Sequence, residues 1–200
     1  MITNYSTLKT SIAAYLQRSD LTSMIPEFIA DAESRIYTEM RTQAMETAYS
    51  ATMVNGEATL PAGLIEWQWL YIDSDPKRRL EKKDMEWILR NFPTSVGKPY
   101  YFARNGDSLT FGPTPDADYA LVGSYYKRLA ALSDSNTTNW LTDDYPELIR
   151  FAALCEATPY LQEDQRIPVW EAKYQQVKQR IERLERREKT AGSRLTTTKG

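Results

Sequence analysis

The 200-residue chain contains no histidine and a single cysteine. The lack of histidine removes the commonest general base near neutral pH and the commonest metal ligand. It also makes a Cys–His nucleophile pair impossible. One thiol, Cys155, permits neither an intrachain disulfide nor a thiolate metal cluster. Its place inside a helical pattern predicts a small buried apolar residue. No stretch approaches the ~20 apolar residues of a membrane helix. The start, Met1-Ile2-Thr3-Asn4-Tyr5, lacks the basic and apolar segments of a signal peptide, so a chain made and kept in the cytosol is expected. There is no Gly-rich phosphate loop, no nucleophile elbow and no calcium-loop spacing of acids. Carboxylate pairs are present at Asp143-Asp144 and Asp116/Asp118, and Glu33 and Glu46 lie on or near one long helical pattern. Two such groups can serve as acid and base in glycoside cleavage, but their spacing fits surface charge and caps at least as well. The expectation is a protein with no catalytic residues, no cofactor and no metal.

What is present fits one globular domain, with 42% apolar residues and an aromatic share weighted to 13 Tyr and 5 Trp. These residues suit cores and subunit interfaces alike. The net charge of −2 is unevenly spread. Residues 165–200 carry +6, and residues 1–164 carry −8. That basic segment is either a solvated helix or a surface that docks on something acidic: a neighbouring subunit, another protein or nucleic acid.

Tyr5, Leu8, Ile12 and Leu16 mark one face of a short helix. After a turn at Asp20–Ser23, Pro26 stands in a first-turn position. Ile25, Phe28, Ile29, Ala32, Ile36 and Met40 then predict a helix of roughly 20 residues. The pattern changes at Ala48–Val54, a strand that leads into Asn55-Gly56, a hairpin signal. Trp67, Trp69 and Tyr71 alternate with Gln68, Leu70 and Ile72, a strand with an aromatic face; at least half of that face is expected in the core. Residues 77–82 read as an edge strand, and Asp84 as the N-cap of a short helix. Strands near 100–104, 108–111 and 119–128 suggest an antiparallel meander. Helix returns after Asn139-Trp140-Leu141, with Pro146 at a start and Leu148, Phe151, Ala152, Cys155 and Tyr160 on its apolar face. The class is α+β: helical parts at 5–45 and 144–188, a β-rich insertion at about 48–129, one domain spanning 1–188, and a flexible tail at 189–200.

In the last helix Ile167, Trp170, Tyr174, Val177, Ile181 and Leu184 are spaced 3, 4, 3, 4, 3, a narrow seam with charged residues on the other faces. The seam packs either on residues 146–161 of the same chain or between subunits. Asp164 is placed to cap this helix. Arg180, Arg183, Arg186 and Arg187, with Arg194 and Leu195 in the tail, are the candidate partner-binding residues. Interleaved Glu residues dilute any phosphate-binding potential, and no DNA- or RNA-binding motif occurs.

An ordered set of stretches carries a family resemblance. It includes Tyr5-Ser6-Thr7-Leu8-Lys9, Tyr15-Leu16-Gln17-Arg18-Ser19-Asp20-Leu21 and Ile25-Pro26-Glu27-Phe28-Ile29-Ala30-Asp31-Ala32-Glu33. Glu39-Met40-Arg41, Met45-Glu46, Leu60-Pro61-Ala62-Gly63 and Gly97-Lys98-Pro99 follow. Then come Gly112-Pro113-Thr114-Pro115-Asp116, Tyr125-Tyr126, Thr138-Asn139-Trp140-Leu141 and Tyr145-Pro146-Glu147-Leu148. From about residue 5 to about 175 the chain resembles the head-to-tail adaptor, or connector, proteins of short-tailed phages. The resemblance implies helices beside a small β domain and a structural protein made in the host cytoplasm. It further implies a homo-oligomeric ring, expected to be twelvefold, in the virion neck below the capsid portal protein. That ring would continue the double-stranded DNA channel, without sequence-specific binding, and would offer a surface to the tail nozzle protein. No membrane contact is implied. The C-terminal segment is expected to reach toward the portal. Two other readings stay open: a tail-completion or gatekeeper protein docking on tail proteins alone, and a virion-associated muramidase using Glu33 and Glu46.

Overall fold

A computed structural model describes residues 1–161 and 164–190. In chain order the elements are α1 (Tyr5–Leu16), α2 (Ile25–Glu39), β1 (Glu46–Thr52), β2 (Glu57–Thr59), β3 (Leu64–Ile72), β4 (Arg78–Lys82) and α3 (Met85–Asn91). They continue with β5 (Tyr101–Asn105), β6 (Ser108–Gly112), β7 (Ala120–Lys127), α4 (Trp140–Asp143), α5 (Pro146–Glu156) and α6 (Ile167–Thr190). The class is α+β, as the patterning predicts. The chain divides into two compact units, residues 45–128 and the helical segments on either side of them.

The helical unit is organised around α5, which touches α1, α2, α4 and α6. Its Leu148, Ile149, Ala152, Ala153 and Leu154 are all buried, and the two alanines allow close approach of neighbouring helices. The predicted faces of α1 and α2 pack inward through Leu8, Ile12 and Leu16 and through Ile25, Phe28, Ile29, Ala32 and Ile36. Asn4 and Thr7 form a capping box that starts α1, and Asn139 and Thr142 form another that starts α4. Pro26 lies in the first turn of α2 and Pro146 in that of α5, where a missing N–H costs nothing. The helix α2 is 15 residues long, shorter than its periodicity implies. It starts where Pro26 places it and stops at Glu39, and a separate 3₁₀ turn at Gln43–Met45 follows. Tyr160 leaves the α5 face: it falls in a 3₁₀ turn, half-exposed, with its ring 5.3 Å from that of Phe28.

The β unit is a seven-stranded sheet in the order β1-β7-β3-β4-β5-β6-β2. This order corrects the meander. The strand β7 inserts between β1 and β3, and the short β4–β5 pair is parallel. The segment 78–82 is therefore an interior strand, not an edge. At Asn55-Gly56 both residues have positive φ, 52° and 81°, and Val54 bridges Glu57, so the predicted turn forms. Its two strands then diverge, β1 to β7 and β2 to β6, and the turn joins the two edges of the sheet. The sheet curls around one core that takes a side chain from every strand, among them Tyr49, Ala58, Ile72, Leu80, Phe102, Phe111 and Leu121. Asp84 stands before α3, but its side chain makes no capping bond.

The aromatic face of β3 is split. Register shifts against β7 fall between Leu64 and Glu66 and between Trp67 and Trp69. A bulge turns the following residues over, so Trp67 packs on the core, Leu70 and Ile72 are buried, and Trp69 is 42% exposed. One of the three aromatic residues thus lies on the core, fewer than strict alternation predicts. Trp69 and Tyr71 instead line an outer hollow with Lys77 and Arg79. Gly123 faces the bulge; a Cβ there would lie 2.9 Å from both the Trp69 carbonyl and a Leu70 methyl.

Candidate functional site

The seam of α6 packs on its own chain. Trp170, Tyr174, Val177 and Ile181 are buried against the helical unit, with α5 as the main partner. Each such side chain contributes roughly 1.5–3 kcal/mol by leaving water. Ile167 is half-buried, and Leu184, last in the seam, is 48% exposed.

An ion cluster fixes the helix in place. The Arg35 guanidinium of α2 bonds Glu39 at 2.9 Å, Glu171 at 2.9 Å and Glu156 at 3.4 Å, and lies 4.3 Å from the Tyr174 ring centroid. Glu39 also accepts from the Tyr174 hydroxyl and from Lys178, each at 2.8 Å. Burial pushes the Glu39 carboxyl up, and the bonds from Lys178, Arg35 and Tyr174 outweigh it, leaving a pKa of about 2. Burial, and then the bond to Glu39, raises the Tyr174 phenol. The Cys155 thiol is pushed up to about 12, first by burial and then by its bond to Glu171. It stays protonated at neutral pH, but it is half-buried and bonded to a carboxylate, not the buried apolar residue that its place in the helical pattern predicts. The Asp164 carbonyl accepts from the first α6 amide, Ile167, at 3.2 Å, but its carboxylate takes the Arg166 amide and guanidinium instead of an α6 amide, and that guanidinium also reaches the Tyr15 carbonyl at 2.7 Å.

Beside this anchored seam lies a groove of about 750 Å³. Its floor is Tyr15, Phe151, Val177 and Leu184, and its walls carry Arg150, Lys173, Arg180, Arg183 and Arg187 against a single carboxylate, Glu147. Arg180, Arg183 and Arg187 are brought together because their 3- and 4-residue spacing puts them on one stripe of the helix. Arg186 is exposed and lies outside that lining. Arg194 and Leu195 lie outside the described residues. Arg180 pairs with Glu147 at 3.2 Å, an exposed contact of small energetic worth.

Arg150 escaped the sequence reading. Its guanidinium stacks 4.8 Å from the Tyr15 ring and 4.9 Å from the Phe151 ring, and its Nε is buried with no hydrogen-bond partner. The available signal was a lone cation within Leu148-Ile149-Arg150-Phe151-Ala152-Ala153-Leu154. The groove pairs cations with an apolar floor and contains no nucleophile with an adjacent base. Its chemistry suits carboxylates borne on an apolar scaffold.

The two carboxylates weighed as catalytic acids are engaged elsewhere. Glu33, on α2, accepts from the Leu132 amide and the Asn139 side chain. Glu46 belongs to the β unit and accepts from Gln68. Among the described residues no cluster of His, Cys, Asp and Glu could hold a metal ion, and no helix is long and apolar enough to cross a membrane.

No curated protein sequence matches the chain. The model of the SU10 adaptor protein family matches residues 3–198, nearly the whole length, and the chain belongs to that family of phage head-to-tail adaptors.

Proposed function

We propose that copies of this chain assemble into a closed ring in the virion neck, between the capsid portal and the tail, and that the ring continues the DNA channel. The family match over residues 3–198 carries this reading. The role is structural and needs no chemistry of its own. The fold supports it in two ways. First, α6 is anchored by the seam and the Arg35 cluster, so its C-terminal half presents Arg180, Arg183 and Arg187 on a fixed support. Second, residues 191–200, which lie outside the described residues, carry Arg194 and Lys199 and no acid, a charge suited to an acidic partner surface.

Purified chain and purified portal, mixed and separated by size exclusion, should co-migrate, and electron microscopy of the complex should show a closed ring. Absence of co-migration would remove the reading. Binding to tail proteins without portal would make the chain a gatekeeper instead.

A further inference from the structure

We propose that the basic groove along α6 seats the acidic outer face of α2 from a second copy of this chain. The inference rests on the ring reading and names the contact that would build the ring. The outer face of α2 carries Glu27 and Asp31 one helical turn apart, both exposed and neither in an ion pair among the described residues, with the small residues Ala30 and Ser34 beside them. Small residues permit a close approach of another helix. The groove offers the converse: Arg183 and Arg187 are one turn apart, exposed and without ion pairs among the described residues, above the apolar surface of Val177 and Leu184. Both stripes have the helical repeat of ~5.4 Å per turn, so carboxylates and guanidiniums can meet in register.

Other occupants fit less well. Residues 191–200 contain Arg194 and Lys199 and no acid, so the chain's own tail is repelled by a basic groove. Nucleic acid has no use for the apolar floor, and Glu182, Glu185 and Glu188 interrupt the positive field along the helix. The two surfaces are different patches on one molecule, so the contact is heterologous. Repeated head to tail, a heterologous contact closes into a ring when its rotation permits.

Cysteine cross-linking tests this on full-length chains, with and without portal, at low salt in a thiol–disulfide buffer. Ala30→Cys and Gln176→Cys place thiols on the two exposed surfaces. Their mixture should give a disulfide-linked heterodimer at least 5-fold above the dimer formed by either variant alone. Arg183→Glu with Arg187→Glu in the Gln176→Cys chain should abolish it. Adding Glu27→Arg with Asp31→Arg to the Ala30→Cys chain should restore it by reversing the pair. Absence of the heterodimer while portal still captures the chain would overturn this contact and leave the ring reading standing. Loss of double-stranded DNA binding in the groove variant, without any heterodimer, would assign the groove to nucleic acid and also overturn it. Loss of portal capture by the unmodified chain counts against the ring reading alone.

Discussion

Glu33 is 4% exposed on α2, and its carboxylate takes the Leu132 amide at 3.1–3.2 Å and the Asn139 side chain at 2.9 Å. It thereby ties down residues 129–139, a stretch with no regular structure, and its place there is that of a strut. Glu33→Ala leaves a buried N–H unpaired and should lower the unfolding free energy by about 2–3 kcal/mol in a denaturant titration. Glu39 makes a pH-dependent contribution. The unfolded chain takes up its proton near 4.5 and the folded chain near 2. The stability it supplies is therefore complete above pH 4.5 and is lost as pH falls toward 2. Glu39→Gln should melt lower than the parent at pH 6 and should show a shallower decline in Tm between pH 4.5 and 2. Neither role was legible beforehand: sequence marks a carboxylate and, for Glu39, its i−4 neighbour Arg35, but the other partners come from residues some 100 to 140 positions away.

At the scale of elements, helices were the most legible part. The faces of α1, α2 and α5 and the seam of α6 all follow from apolar spacing, because a helix must turn one stripe to the core whatever its neighbours are. The seam's extent was not legible. Its periodicity continues through Leu184, but the supporting helices cover it only as far as Ile181. Ile181→Ala should cost about 2–5 kcal/mol, read from the denaturation midpoint, whereas Leu184→Ala should stay within about 0.5 kcal/mol. Strand positions were legible from alternation and turn residues, but their pairing was not. A period of two says which face a residue takes, not which strand lies beside it. The insertion of β7 between β1 and β3, the parallel β4–β5 pair and the bulge that turns Trp69 outward all depend on partners distant in sequence.

For the molecule as a whole, the charge division between residues 1–164 and 165–200 is a property of the sequence and predicts salt-sensitive assembly. Deleting residues 189–200 should weaken portal capture while leaving the Tm of the remaining chain unchanged. The difference between the full and shortened chains should shrink from 0.1 M to 1 M salt, as the screening length falls from ~10 Å to ~3 Å. Composition alone excluded an intrachain disulfide and histidine chemistry, and periodicity alone set the α+β class and the helical faces, since those depend only on residue type and local repeat. The groove beside α6 was decided by tertiary structure. Arg180, Arg183 and Arg187 were visible as a basic stripe, but Arg150 and the Tyr15 and Phe151 rings join them only because α1 and α5 pack beside α6. A stripe of charge belongs to one helix, whereas a groove with an apolar floor needs neighbouring helices brought together by a shared core.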